Sequence, residues 1–195
     1  MNGNSFDRVA REYFGEVLLP MGFSCAGSKF SNFHRQISDD IIHVVVPDLM
    51  RGGTRYDVKV FATSPKIEPD FGERFPDDIG IPSGALSFLH PVTGVGPHQK
   101  IFHCKTEDGF IRGFLSEVAP ALSSKALPYL ENISTLESLI PTIRHDFYLG
   151  AAMWHVGNRD SAQAILNREL ARLAAIPDGT GRTTALIDYI HALLN

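Results

Sequence analysis

The chain has 195 residues, of which 44% are hydrophobic and 21% are charged, and its formal net charge is −4. This composition excludes an intrinsically disordered chain, since such chains combine few hydrophobic residues with a high net charge. A pI near 6.0 and the absence of any run of Lys and Arg argue against a nucleic-acid-binding protein. The length fits one domain, or one domain with a small appendage.

The sequence also indicates a compartment. Cys25 and Cys104 are the only cysteines and stand far apart, which favours free thiols in a reducing cytosol over a disulfide scaffold. The first four residues lack the basic and apolar pattern of a signal peptide. Residues 79–99 contain no Asp, Glu, Lys or Arg, but their prolines and glycines exclude a membrane-spanning helix. We therefore expect a cytoplasmic protein that does not enter a membrane.

The first predicted element is an amphipathic helix. Ser5 is a suitable N-cap, and apolar residues then recur at helical spacing from Phe6 to Leu18. Pro20 and Gly22 end the pattern. We expect the apolar face of this helix to cover one face of a sheet.

Three short strands are predicted next, at Lys29–Ile37, Ile41–Met50 and Thr54–Thr63. Gly-Gly between two such runs indicates a hairpin at Gly52 and Gly53, because glycine tolerates positive φ. In the third strand, Tyr56, Val58 and Val60 alternate with Arg55, Asp57 and Lys59. This alternation predicts one buried and one exposed face.

A long loop follows the predicted meander. Residues 65–97 contain six prolines and five glycines, which exclude a long helix there. Loops of this length in compact domains are usually functional or poorly ordered, so this loop is the first candidate for a ligand-facing region. Residues 100–105 have the pattern of a last short strand.

The remainder of the chain is predicted to be helical. Thr106 is a suitable N-cap, Pro120 and Pro128 are expected to interrupt the helix it begins, and Ser134 with Glu137 fits a capping box. From Arg144 onward the pattern predicts three antiparallel helices, with Gly150 and Ala151 allowing the first two to pack closely. The predicted fold class is therefore α+β: an N-terminal helix on a small antiparallel meander, a long Pro/Gly-rich loop and a C-terminal helical subdomain. The predicted domains are residues 1–143 and a helical cap at 144–195.

Several short stretches occur in the order and spacing of a known family. The first two-thirds of the chain, roughly residues 5–140, resembles the bacterial family catalogued as domain of unknown function 4304. The stretches that carry the resemblance are residues 19–23, 27–30, 41–45, 56–61 and 126–130. The resemblance implies an α+β domain with a helix on a sheet, and it implies no activity and no catalytic residues.

Histidines are the main candidates for chemistry. His90, His98, His103 and Cys104 fall within fifteen residues, but none of their spacings is that of a known metal-ligand pair, so we predict no metal site. A second cluster, His34, Asp39, Asp40 and His43, could provide acid–base groups. No nucleophile accompanies it, so we interpret it as turn carboxylates and strand histidines on a solvent-exposed face.

Two functional hypotheses result. The favoured one is a non-catalytic protein-binding module, immunity-like or regulatory, that uses the polar face of the sheet or the long loop and needs no cofactor. The alternative is an enzyme or small-ligand-binding protein that uses the histidine-bearing loop at residues 90–104. Its candidate ligand-binding residues are His90, His98, His103 and His43, and it requires them to converge in a pocket.

Overall fold

The fold was analysed in a computed structural model, which describes residues 1–26, 32–67, 101–143, 145–176 and 181–195. The predicted α+β class is confirmed. The helices are α1 (Gly3–Leu18), α2 (Glu107–Gly113), α3 (Ala119–Ala121), α4 (Leu127–Glu131), α5 (Leu136–Leu139), α6 (Asp146–His155), α7 (Arg159–Ala174) and α8 (Gly181–Leu194). The strands are β1 (Ser24–Ala26), β2 (Asn32–Ser38), β3 (Ile41–Leu49), β4 (Arg55–Thr63) and β5 (Phe102–His103).

The five strands form one antiparallel sheet in sequence order. The turn between β3 and β4 uses Gly52 and Gly53 at φ of 101° and 67°, as the Gly-Gly pair predicts. The Met50 amide closes this hairpin by donating to the Arg55 carbonyl at 2.9 Å. The short edge strand β1 was not predicted, because a run of only three residues is too short to show alternation.

Helix α1 covers one face of the sheet, as predicted. The Phe14 ring stacks on Phe33 of β2 with centroids 6.2 Å apart, and Phe6 contacts Tyr56 of β4 at 5.4 Å. The helix begins earlier than expected, since Asn2 rather than Ser5 is its N-cap and accepts a hydrogen bond from the Ser5 amide at 2.9 Å. The main hydrophobic core therefore lies between α1 and the sheet, and Phe14 and Phe6 are part of it.

The opposite face of β4 contradicts the prediction of an exposed surface. Asp57 and Phe61 on this face are buried, Lys59 is partly buried, and only Arg55 is exposed. Phe61 pairs with Val44 of β3, and the two belong to a second buried apolar cluster. The polar residues of β4 therefore do not indicate an exposed face, because apolar residues of the neighbouring strand lie beside them on the same face.

Residues 107–131 form one continuous helical path, and the prediction that Pro120 and Pro128 would interrupt it was wrong. Thr106 caps the helix as predicted, accepting from the Gly109 amide at 3.1 Å. A π-helical turn precedes each proline, at Phe114–Val118 and Leu122–Ala126. Proline lacks an N–H group, and a local change to i→i+5 bonding lets the helix continue past that missing donor.

The C-terminal helices α6, α7 and α8 follow the predicted order. Gly157, at φ of 84°, ends α6 as expected. The predicted capping box is displaced by one residue, to Thr135 and Ser138. Buried side chains of these helices belong to the same core cluster as those of α1 and the sheet, including Ala151, Leu166 and Ile190. The hydrophobic core is therefore continuous across residue 143, where the sequence predicts a domain boundary.

Candidate functional site

The Arg35 side chain is the centre of a polar cluster at the edge of the main core. Strand β2 presents Arg35, and the antiparallel register places it directly opposite His43 of β3. The guanidinium group forms an ion pair with Glu131, the last residue of α4. Its carbon also lies 4.9 Å from the centroid of the Phe23 ring. Arg35 therefore joins β2, β3, α4 and the segment after α1.

The hydrogen bonds of His43 define its tautomer. Nε2 lies 2.7 Å from the carbonyl oxygen of Ile133, and Nδ1 lies 3.2 Å from Nη2 of Arg35. A carbonyl oxygen can only accept, so Nε2 carries the proton, and Nδ1 accepts from the guanidinium. Burial, reinforced by the Arg35 charge, lowers the pKa of His43 below its ordinary value despite the opposing effects of Ile133 and Glu131. His43 is thus a neutral, fully engaged imidazole.

The same arginine fixes the exposed turn that follows α1. We call residues Leu19–Met21 the apolar turn, because the side chains of Leu19 and Met21 are 52% and 39% exposed. Pro20 lies at the start of this 3₁₀ turn, and Gly22 ends it at φ of 82°. Nη1 of Arg35 donates to the Met21 carbonyl at 2.9 Å. The backbone of the turn is therefore constrained at both ends while its side chains face solvent.

The candidate ligand-binding histidines have different outcomes. His90 and His98 lie outside the described residues. His103 is exposed on β5, where it pairs with Arg55, whereas His43 pairs with Ala62 at the other end of β4. Seven residues along a strand span about 23 Å, and positions of opposite parity face opposite sides of the sheet. The fold therefore does not bring His43 and His103 together.

The cluster around the first turn of the meander does not form a His–Asp pair. His34 pairs with Val44 and lies on the sheet face opposite to His43. The Asp40 carboxylate instead accepts from the Lys66 ammonium group at 2.7 Å. Asp39 at the turn is exposed, as expected. His43 is buried, so the expectation that the strand histidines lie on a solvent-exposed face is wrong for His43.

A second polar cluster joins the C-terminal helices to the sheet. The Tyr189 hydroxyl of α8 donates to the Lys66 carbonyl at 2.7 Å, and Nε2 of His155 lies 3.5 Å from the same hydroxyl. Burial raises the pKa of Tyr189 to about 12 and lowers that of His155. Trp154 beside it is only partly buried, and Arg159 lies 4.0 Å from its ring centroid. This cluster therefore connects the C-terminal helices to the segment that follows β4.

Metal-binding chemistry has no visible basis in the part of the chain that the structure describes. No group of three or more His, Cys, Asp or Glu side chains there could hold a metal ion. Cys25 and Cys104, both described, form no disulfide, and burial raises the pKa of the Cys104 thiol. Among the described helices, none has the length and apolar character needed to cross a membrane.

Sequence reasoning missed Arg35, Glu131 and the apolar turn. The Leu19–Phe23 stretch was interpreted only as the end of a helix and as part of a family resemblance, and Arg35 looked like an ordinary strand residue. The relevant signal is the pairing of Arg35 with His43, which depends on a β2–β3 register shift between Gln36 and Ser38. A register with an irregularity cannot be read from alternation alone.

No family model matches the sequence of this chain. No curated protein is significantly similar to it, and no solved structure is significantly similar to its fold. The resemblance to the family of domain of unknown function 4304 therefore stays a prediction. Any functional assignment depends on the chain's own residues.

Proposed function

We propose that the protein is a non-catalytic protein-binding module that contacts its partner through the apolar turn. The observation that carries this proposal is the hydrogen bond from Arg35 to the Met21 carbonyl at 2.9 Å. It holds two exposed apolar side chains, Leu19 and Met21, on a backbone that is already ordered. Because binding then requires little further ordering, such a turn gives more affinity per contact than a flexible loop. Apolar anchors of this kind often dominate interface energetics.

The charges around the apolar turn indicate the chemistry of the partner. Glu131 is 52% exposed, and Glu16 is exposed three residues before Leu19, whereas only 15% of the Arg35 side chain is exposed. Among the described residues beside the turn, the accessible charge is therefore negative. A partner with an apolar pocket flanked by Lys or Arg would complement it, and the net charge of −4 would accelerate encounter with a basic surface. An immunity-like inhibitor and a regulatory subunit both have this requirement.

The geometry of His43 supports binding over catalysis. Both of its ring nitrogens are engaged within the protein, and the ring is buried, so it offers no free nitrogen to a substrate. The alternative, a ligand site or enzyme centred on residues 90–104, needs His90 and His98, which lie outside the described residues. That alternative stays a hypothesis from the sequence. The polar sheet face is a poor docking surface, since Asp57 and Phe61 on it are buried.

Variants of the apolar turn test the proposal. The full chain, tagged and expressed in its native cytoplasm, is purified gently and examined by native mass spectrometry to identify a retained partner. The affinity of that partner is then measured for the wild-type chain and for a Leu19→Ser, Met21→Ser double variant. We expect a loss of at least about tenfold, since anchor residues contribute about 1–2 kcal/mol or more each.

Leu115→Ser is the matched control. Leu115 is 57% exposed, so its substitution changes surface hydrophobicity to a similar degree without touching the turn. We expect this control to bind like the wild type. Equal affinities for wild type and double variant would overturn the proposal, as would retention of a small molecule instead of a protein.

A further inference from the structure

A chain of hydrogen bonds connects the buried core to the apolar turn. The Ile133 carbonyl accepts from Nε2 of His43 at 2.7 Å, and Nδ1 of His43 accepts from Nη2 of Arg35 at 3.2 Å. Nη1 of the same guanidinium donates to the Met21 carbonyl at 2.9 Å. Among the described residues, Nε of Arg35 is buried and has no partner, so the guanidinium forms its hydrogen bonds through its two terminal nitrogens.

This chain works only with a neutral imidazole. A second proton on His43 would occupy Nδ1, which would then become a donor facing the donor Nη2 of Arg35. It would also place an imidazolium within hydrogen-bond distance of a guanidinium. The interaction between His43 and Arg35, which orients the guanidinium, would change from attraction to repulsion.

The surroundings of His43 offer little compensation for that charge. Among the described residues, the charged groups that face it are Arg35 from β2 and Glu131 from α4, and the group that faces Nε2 is the Ile133 carbonyl. On the other side, β4 presents the apolar Ala62. Glu131 is the single anion in this set, it is half-exposed, and it already pairs with Arg35. An imidazolium here would therefore displace Arg35 instead of being neutralised in place.

We infer that protonation of His43 releases the apolar turn, so that the chain has a held and a released form of this surface. In the held form Arg35 bonds both His43 and the Met21 carbonyl. In the released form Arg35 moves away from the imidazolium toward Glu131 and solvent, and the Met21 carbonyl loses its donor. Gly22 follows the turn at positive φ and allows the backbone to rearrange there.

The direction of the switch follows from the environment of the ring. Burial, together with the Arg35 charge, places the pKa of His43 below the ordinary value of 6.5. The turn is therefore held at neutral pH and is released only in acid. For partner binding, which rests on the proposed function, the consequence is weaker affinity at mildly acidic pH.

The experiment is NMR of the full free chain between pH 7.5 and 5. Long-range ¹H–¹⁵N spectra of the imidazole report the His43 tautomer and its titration. The methyl group of Met21 reports the turn, and the methyl groups of Met50 and Met153 serve as internal references. We expect an Nε2–H tautomer at neutral pH and a change in the Met21 methyl shift with the same midpoint as His43.

Two variants complete the test. In His43→Gln, which cannot titrate but keeps a donor and an acceptor, the Met21 transition should disappear. In His155→Gln, which removes a titrating group in the other polar cluster, it should persist. A Met21 shift that does not follow His43 in the wild type, or that survives in His43→Gln, would overturn the inference. The wild-type comparison decides the matter even if a variant fails to fold.

The outcome is separable from that of the proposed function, because no partner is needed for these spectra. A coupled transition in a chain whose turn variants bind normally would keep the switch and remove the proposed interface. If the turn variants lose binding but the Met21 and His43 transitions are not coupled, the proposed interface is kept and the switch is removed.

Discussion

Gly150 of α6 lies against Leu166 of α7 so closely that a β-carbon does not fit between them. A Cβ built on Gly150 would be 2.7 Å from both Cγ and Cδ2 of Leu166 and 3.3 Å from Cγ2 of Ile165. Leu166 is fully buried, so its side chain would have to shift within a packed interior to accommodate the added atom. This contact sets the separation of the two helices, and it confirms the close packing predicted from the small residues Gly150 and Ala151.

Replacing Gly150 with Ala should therefore destabilise the protein. Alanine favours a helix over glycine by about 1 kcal/mol, but forcing extra atoms into a packed interface costs about 1–3 kcal/mol. We expect a net decrease of about 1 kcal/mol in the free energy of unfolding, measured by urea titration. Combined with Leu166→Ala, the substitution should cost less than it does alone, because the clash is removed.

Gly113→Ala is the control for this prediction. Gly113 also lies in a helix, with helical φ of −63°, and a Cβ there would meet no atom within 4 Å. Its replacement should raise the free energy of unfolding by up to about 1 kcal/mol. A loss of stability at both positions would show that the Gly150 effect is not caused by the contact with Leu166.

Local patterns were sufficient to predict most elements of the fold. Alternation located β3 and β4 within one or two residues, and the Gly52–Gly53 turn between them followed from glycine chemistry. Helical spacing located α1. These features are local, so they can be read from a few neighbouring residues.

The errors arose where distant residues decide the outcome. The face of β4 that carries Asp57 is buried because Phe61 pairs with Val44 of another strand. The helix continues past Pro120 because its hydrogen-bond pattern changes one turn earlier. Neither effect can be recognised from the residues that neighbour Asp57 or Pro120 in the sequence.

The candidate site was harder to predict for the same reason. Of its residues, only His43 was selected from the sequence, and it was assigned to a ligand site. Its actual contacts, Arg35 and the Ile133 carbonyl, come from a neighbouring strand and from a residue 90 positions away. The contacts of His43 are thus determined by strand register and tertiary packing, which cannot be inferred from the residue being a histidine.

The two tyrosines with raised pKa values should respond in opposite ways to removal of their hydroxyl groups. The Tyr56 hydroxyl is buried and, within the described residues, has no hydrogen-bond partner. A buried unpaired hydroxyl costs about 1–3 kcal/mol, so Tyr56→Phe should leave stability unchanged or raise it by about 1 kcal/mol. The ring contacts with Phe6, Phe102 and Phe110 would be kept.

Tyr189→Phe is the matched comparison, measured by the same urea titration. Its hydroxyl donates to the Lys66 carbonyl at 2.7 Å, so we expect a loss of about 1 kcal/mol. If Tyr56→Phe lost as much as Tyr189→Phe, the Tyr56 hydroxyl would have to be hydrogen-bonded, for instance to a buried water molecule.

Two arginines of α7 test the importance of burial in an ion pair. Arg172 donates through Nε and Nη2 to Glu169 at 2.7 and 2.6 Å, and this carboxylate is buried. Arg168 donates in a similar way to Asp146 at 3.1 and 2.7 Å, but that pair is exposed. We expect Arg172→Met to cost about 2 kcal/mol and Arg168→Met less than about 1 kcal/mol, since only the first leaves a buried charge unpaired.

The double variant Arg172→Met, Glu169→Leu isolates the cause. It removes the buried charge together with its partner and should recover most of the stability lost in Arg172→Met, because a buried ion pair is often no better than an apolar pair. Equal losses for the two single variants would mean that the packing of the arginine stem, and not the buried carboxylate, decides the effect.

Acid should destabilise the fold through three histidines whose pKa values are lowered in the folded chain. Burial lowers the pKa of His34, His43 and His155 below the ordinary value of 6.5. Their contribution to stability is complete above pH 6.5. Below it the unfolded chain binds protons that the folded chain does not, so stability falls until the pH reaches the folded pKa values. Urea titrations between pH 8 and 5 should show this decrease.

The size of the slope identifies which histidine dominates. One proton taken up on unfolding corresponds to at most about 1.4 kcal/mol per pH unit, and His43, the most buried of the three, should come nearest to that limit. His43→Gln should therefore flatten the pH dependence more than His155→Gln, whose imidazole is exposed and remains partly solvated when charged. An unchanged slope in His43→Gln would contradict this prediction, because it would mean that the buried ring takes up its proton in the fold as readily as in the unfolded chain.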